Sequence, residues 1–342
     1  MAKRPGMADL ARAAGVSVAT VDRVLNGREA VRADTAARIA EAAARIGHPA
    51  GQRMAAEVPD LPALRFGVVL HKSGQEFYQA FARELATAMA AQRMVRGQLV
   101  LEFASSQAPG EVAGLLRGMA GRCDVVAATA VNHPEITAAV TDLKTQGLPV
   151  FTLLSDFAQD VRSGYVGLNN LKAGRIAGWI TALSVRQPGK VAVFVGGHRW
   201  HGHELRETGF RSHLRECAPG LEVMDALVNL ETRALTYEAT LALLVRQPDL
   251  RGIYVAGGGM EGAIAALREM RAPGEVALVV NEMTSDSRAG LTAGWVTLVV
   301  ATPLSVLTED LVALMVRAAQ SAGTFEGGQH FVPPVLQIAE TL

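Results

Sequence analysis

The chain has 342 residues, 33 basic and 33 acidic side chains, no net charge at neutral pH, 49% hydrophobic residues and only 5% aromatic ones. That length exceeds one ordinary domain, and the charge balance excludes a protein coated throughout by nucleic acid. Cys123 and Cys217 lie far apart and fit inert thiols of a reducing compartment. No run approaches the roughly twenty apolar residues of a membrane span, and MAKRPG leads into a charged helix without a signal peptide's apolar stretch. Together these features predict a soluble, cytoplasmic α/β protein.

Met7 to Gly27, MADLARAAGVSVATVDRVLNG, reads as two short helices broken by a glycine. Met7, Leu10, Ala11 and Ala14 share one face of the first, and Gly15 supplies the positive φ of a sharp turn. Ser17 is placed to cap the second helix. There Val18, Val21, Val24 and Leu25 form an apolar stripe, leaving Ala19, Thr20, Asp22, Arg23 and Asn26 outward. A third helix is predicted from Asp34 to Ile46, with Ile39, Ala43 and Ile46 inward and Gly47 as its stop. This is the pattern of a helix-turn-helix, whose second helix lies in the DNA major groove, where short polar side chains and Arg23 reach bases or phosphates. Residues 1–53 carry nine basic and five acidic side chains, a net of plus four on a neutral chain. Such a local excess marks where a polyanion docks.

GVSVATVDRVLNG followed by VRADTAARIAEAAARIGH resembles the DNA-binding head of the LacI/GalR family of bacterial transcriptional regulators. The resemblance implies that Ser17, Val18, Ala19, Thr20 and Arg23 contact operator DNA and that Asn26 anchors a phosphate. Asp22 departs from the family's usual serine and is expected to pair with Arg23 or Arg28. The head then spans residues 1–48 and a hinge spans 49–62. In the family that hinge wedges a leucine into the minor groove; here the position falls on Glu57 or Val58, with Met54 or Val58 as substitutes and no leucine before Leu61.

From Arg65 the chain alternates apolar runs with amphipathic helices. Strands are expected at Phe66–His71, Leu99–Ala104, Asp124–Ala130 and Pro149–Leu154. A second series is expected at Lys190–Val195, Glu222–Val228, Gly252–Ala256, Val276–Val280 and Val296–Ala301, with a last, proline-broken strand at Val335–Ile338. Continuous Val/Leu/Ala runs between helices indicate parallel strands buried on both faces, in two doubly wound lobes. Residues 65–338 are similar to the periplasmic sugar-binding-protein fold that forms this family's effector domain. The similarity implies an effector-binding and dimerisation domain over 63–342. Crossings near Gly167–Asn169, Thr297–Pro303 and after Phe325 would divide it into lobe 1, about 63–167 and 302–325, and lobe 2, about 168–298 and 326–342. No heptad-patterned extension follows the last strand, so a homodimer is expected.

Ligands of open α/β sheets bind beyond the carboxyl ends of the strands. After the first strand, Gln75, Phe77 and Tyr78 match the amide and two aromatics of the sugar-binding fold. Asp156, after the fourth, is placed to accept from vicinal hydroxyls or to cap the next turn. Arg206 matches the family's effector-gripping arginine, with Trp200 available to stack and His203 to donate. Glu282 matches the family's late acidic sugar contact. His198, His201, His203 and Glu204 fit no metal spacing and are better read as a polar effector loop, so no metal is assigned.

Gly257–Gly262, GGGMEG, satisfies G-x-G-x-x-G after a strand, with Glu282 about twenty residues on, which keeps a cytoplasmic NAD-dependent oxidoreductase as a remote alternative. The family usually has an Asn-Asp pair there, and its loss to glycine leaves room for a bulkier ligand or lets backbone N–H groups bind an anionic one, an acidic or phosphorylated effector. No nucleophile-elbow, phosphate-loop or C-x-x-C motif occurs, and nothing argues for catalysis or a cofactor. The expectation is therefore a non-enzymatic LacI-type regulator, a repressor binding operator DNA as a dimer under control of a small polar, sugar-like effector.

Overall fold

The computed structural model describes residues 5–26, 31, 33–50, 61–321 and 325–342. The chain divides into two units, Met1–Pro62 and Ala63–Leu342.

The smaller unit holds α1 (Met7–Ala14), α2 (Val18–Asn26) and α3 (Ala33–Arg45). Leu10, Ala11, Ala14, Val21, Ile39, Ala42 and Ala43 make its core. Gly15 closes α1 in the left-handed region at φ 65°, and its N–H bonds back to the helix, the ending that glycine permits without a Cβ clash. Ser17 Oγ then accepts from Thr20 N at 3.1 Å, capping α2. From α3, Arg38 and Arg45 donate to the carbonyls of Ala14 and Ala13 at 2.8 and 2.7 Å. Cations there satisfy the last carbonyls of α1 and complement its dipole. Two expected inward residues sit outward: Met7 is 41% and Val18 45% exposed. The hinge positions Met54, Glu57 and Val58 lie outside the described residues.

The larger unit has two sheets. The first is all parallel in the order β12-β5-β4-β3-β1-β2, comprising β1 (Ala63–His71), β2 (Arg96–Ala104), β3 (Val125–Ala128), β4 (Val150–Leu153), β5 (Gly164–Leu168) and β12 (Gln329–Val332). The second runs β13-β11-β10-β9-β6-β7, with β8 also on β6. Its strands are β6 (Gly189–Val195), β7 (Leu221–Val223), β8 (Leu227–Val228), β9 (Leu250–Val255), β10 (Ala277–Asn281), β11 (Leu298–Ala301) and the antiparallel edge β13 (Val335–Gln337). Helices cover the sheets: α4 (Glu76–Ala91), α5 (Pro109–Arg117), α6 (Pro134–Thr145) and α12 (Leu304–Gln320) the first, and α7 (Asn170–Ser184), α8 (His201–Cys217), α9 (Arg233–Arg246), α10 (Met260–Met270) and α11 (Ser285–Thr292) the second. Strands such as Val125–Ala128 and Leu298–Ala301 are buried at every position, as parallel strands sandwiched by helices must be.

Three details differ from the sequence reading. The segment Glu222–Val228 is two strands, because Arg211 on α8 donates to the carbonyls of Val223 and Met224 and draws the chain off the ladder. Strand β5, GYVGL, is an unexpected strand beside the edge strand β12, and its two glycines break its apolar run. Strand β12 lies parallel to β5 in the first sheet, so the third crossing falls at Pro333–Pro334 and not just after Phe325. Its sequence, QHFV, is an exposed edge strand without an apolar signature.

Helices α7 and α8 approach unusually closely. A Cβ on Gly174 would stand 1.9 Å from the Arg206 carbonyl oxygen, and one on Gly209 would stand 2.1 Å from that of Leu171. Gly174→Ala is therefore expected to destabilise the larger unit by about 3 kcal/mol through overpacking, measured as a lowered urea midpoint. An unchanged midpoint would mean the two helices separate at no cost.

Candidate functional site

Two regions answer to the sequence expectations. On the head, Ser17, Val18, Ala19, Arg23 and Asn26 are exposed and Thr20 is half-buried. Val18 thus belongs to the outward surface that the resemblance implies and not to the apolar stripe. Asn26 Nδ2 donates to Asp22 Oδ1 at 2.6 Å, so Asp22 holds the amide of the residue expected on a phosphate. Arg28, the other expected partner of Asp22, lies outside the described residues. Arg38 and Arg45 are committed to α1, so part of the basic excess is structural.

In the larger unit a cleft of about 600 Å³ opens between the lobes, at the carboxyl ends of the strands of both sheets. Gln75, Phe77, Tyr78, Trp200, His203, Arg206 and Glu282 all line it. The aromatics form a wall: Phe77 and Tyr78 meet edge-on at 5.3 Å, and Trp200 is fixed by its Nε1–H to Gln107 Oε1 at 3.1 Å. Arg206, buried on α8, donates through Nε to Asn170 Oδ1 at 2.7 Å and through Nη1 to the Ala256 carbonyl at 2.8 Å. Its other amino group, Nη2, lies outside those two bonds, on a residue that lines the cleft. Glu282 accepts from Thr302 N at 2.8 Å and Thr302 Oγ1 at 2.7 Å. Burial pushes its carboxyl above the ordinary range, a shift that Arg206 and Thr302 partly offset.

Two buried polar atoms of the lining lack any partner: Asn281 Oδ1, from lobe 2, and Thr129 Oγ1, from lobe 1. An orphaned buried polar group costs about 1–3 kcal/mol, and a ligand hydroxyl would relieve it.

Asp156 is a correction. It is buried away from the cleft, where it binds Arg162 Nη2 at 2.7 Å, Thr152 Oγ1 at 2.7 Å and Gln329 Nε2 at 3.1 Å. Its carboxylate ties β4 and the loop after it to β12 and has no capacity left for a ligand. The role expected of His203 also changes. Its Nδ1 accepts from Gly196 N at 3.1 Å and its Nε2 faces Glu231 Oε1 at 3.7 Å, so it supports Glu231. Among the described residues no three His, Cys, Asp or Glu side chains gather as a metal site requires.

Sequence reasoning missed Glu231 and Lys72. Lys72 Nζ donates to the Leu230 carbonyl at 2.8 Å, and Gln75 Nε2 donates to that of Glu231 at 3.2 Å, joining lobe 1 to lobe 2. Lys72, Leu154, Glu231 and Glu282 line the cleft with φ of 45°, 63°, 55° and 69°. Left-handed backbone at non-glycine residues stores roughly 1 kcal/mol each and concentrates at functional sites. No sequence signal marks such residues.

The Gly257–Gly259 loop is explained by neighbours. A Cβ at Gly257 would meet His203 Cε1 at 2.5 Å, and one at Gly259 would meet Thr236 Oγ1 at 2.4 Å. Gly258 N already donates to Glu231 Oε1 at 3.3 Å. A pyrophosphate would find its backbone donor taken by a carboxylate, so the loop does not fit a dinucleotide.

Residues 66–323 match the family profile described as periplasmic binding protein domain, and residues 6–49 match that of bacterial regulatory proteins, lacI family. No curated protein matches the sequence significantly. Among solved structures, a solute-binding protein from Agrobacterium vitis, bound with α-D-tagatopyranose, shares 18% identity at a TM-score of 0.74, covering 81% of this chain and 95% of the other. One from Actinobacillus succinogenes 130z with bound D-allose shares 16% at 0.73, covering 81% and 98%. A third, from Burkholderia graminis C4D1M in complex with D-arabinose, shares 19% at 0.73, covering 81% and 96%. These likenesses establish the fold of the larger unit. Among the described residues no helix is long and apolar enough to cross a membrane.

Burial depresses the His203 imidazole from 6.5 to about 4. The unfolded chain therefore binds this proton first, and the stability tied to neutral His203 is present above pH 6.5 and lost as pH falls toward 4. The shift corresponds to about 3 kcal/mol. The urea midpoint should fall over that window, and His203→Gln should flatten the fall. A profile identical in both proteins would contradict the assignment.

Proposed function

The chain belongs to the periplasmic-binding-protein domain family through its larger unit and carries a lacI-family regulatory head, the architecture of a LacI/GalR regulator, and we propose that it is a non-enzymatic, cytoplasmic transcriptional repressor. In this reading a homodimer binds a pseudo-palindromic operator, with Ser17, Val18, Ala19, Thr20 and Arg23 in the major groove and Asn26 near the backbone. The effector is a small sugar. One observation carries this: one cleft combines an aromatic wall (Phe77, Tyr78, Trp200) with Arg206, Glu282, the partly free Gln75 amide and the orphaned Asn281 and Thr129 oxygens. Aromatic faces suit the C–H side of a sugar ring, and buried acceptors and donors suit its hydroxyls. The sugars bound by the three similar solute-binding proteins support the same class.

Mechanistically, a sugar touching both lobes stabilises one degree of closure. That closure biases the fraction of dimers whose two heads engage both half-sites at once.

Two substitutions test the reading separately. Arg23→Ala is expected to weaken operator binding by at least about tenfold, the worth of one good base or phosphate contact, in an electrophoretic shift assay. Full affinity would remove the second helix from the groove. Arg206→Met is expected to abolish the thermal stabilisation that the correct sugar gives the wild type, while leaving the operator shift intact. A sugar response preserved in Arg206→Met would displace Arg206 from the effector.

A further inference from the structure

One polar corner of the cleft is filled by the protein's own carboxylate. Glu231 Oε1 accepts from Gly258 N at 3.3 Å and stands 3.7 Å from His203 Nε2. Its Oε2 accepts from Gln107 Nε2 at 3.3 Å and stands 3.6 Å from Lys72 Nζ. A glycine-loop N–H, an ammonium, a carboxamide and an imidazole N–H are the donors with which proteins gather a carboxylate or phosphate. They come from both lobes, Lys72 and Gln107 from loops after β1 and β2, and His203 and Gly258 from segments after β6 and β9. Here they converge on a side chain that is only 8% exposed.

The backbone is bent to deliver it. Leu230 and Glu231 are both left-handed, at φ 49° and 55°, and are held there by Lys72 and Gln75 through the Leu230 and Glu231 carbonyls. A residue needed only for a surface ion pair would not require two strained positions in succession. Two further cations line the cleft: Arg206, tied through Nε and Nη1 to Asn170 and Ala256, and Arg233, which shares the space with the carboxylates of Glu76, Glu261, Glu282 and Asp286.

We propose that Glu231 is a selectivity device, an internal anion that occupies the anion-binding corner of the effector cleft and restricts the cleft to uncharged or amine-bearing polyols. Sugar acids and sugar phosphates are excluded because their charge would be buried against that carboxylate. This deepens the sugar-effector reading and rests on it, but the role of Glu231 is testable apart from it.

The test is thermal shift of the full-length chain with matched probes: neutral pentoses and hexoses, the corresponding uronic acids and 6-phosphates, and acetate alone. Wild type should be stabilised by a neutral or amino sugar and not by its acid or phosphate. Glu231→Ala should gain a saturable response to acetate and to uronic acids, at least about tenfold tighter than wild type, since a buried like charge has been removed. Wild type binding uronic acids as tightly as neutral sugars would overturn the proposal, and so would a Glu231→Ala protein with no gain in anion binding. If Glu231→Ala does not fold, Glu231→Gln keeps the volume and should narrow the discrimination against uronic acids by a similar factor; unchanged discrimination overturns the proposal. If no sugar of any kind stabilises wild type, the sugar reading fails while the acetate response of the variant still decides the role of Glu231.

Discussion

The larger unit depends on a set of polar bonds thrown across its cleft. Lys72 and Gln75 of lobe 1 hold the backbone of Leu230 and Glu231 in lobe 2, while Glu76 caps α11 of lobe 2 through Ser285 N and Oγ at 3.0 and 2.7 Å. Each such bond is worth about 1 kcal/mol net. A few such bonds amount to only a few kcal/mol in sum. A ligand touching both lobes can shift a balance of that size; in a clamp held by a large apolar interface it could not.

The same bonds explain how the cleft keeps charged groups in a buried place. Burial alone would raise the Glu231 carboxyl, but the Lys72 ammonium and the Gly258 N–H beside it hold it below the ordinary range. Neutral His203 can stand beside it because its Nδ1 accepts a main-chain N–H and leaves Nε2 to donate. Arg206 is similarly fixed by Asn170, which also donates to the Leu154 carbonyl at 2.9 Å. The groups lining the cleft are thus held in place by the protein itself, an arrangement that would lower the ordering cost of binding a ligand there.

Most of the fold was legible because it rests on periodicity. Val, Leu and Ala runs bounded by amphipathic helices mark parallel strands wherever both faces are buried, and Gly15 and Ser17 mark the turn of the head by their chemistry. Legibility fails where an element is not apolar. QHFV at β12 and the glycine-interrupted β5 have no hydrophobic signature, so the sequence alone puts the third crossing several residues too early. In the cleft, residues on loops after strands could be nominated by position, and Gln75, Phe77, Tyr78, Trp200, Arg206 and Glu282 do line it. Asp156 had the same sequence signal, yet Arg162, six residues on, turns its carboxylate away. Glu231 and Lys72 had no signal, since their roles come from a left-handed backbone and from partners on other elements, some of them more than a hundred residues distant.

The most direct test of the account couples its two ends. Operator affinity of the full-length chain should be measured by fluorescence anisotropy with and without the sugar that stabilises it most, and sugar affinity measured with and without operator. The account predicts a change of about tenfold or more in operator affinity, mirrored by an equal factor in sugar affinity, as linkage requires. Operator binding that is indifferent to a saturating sugar would contradict it.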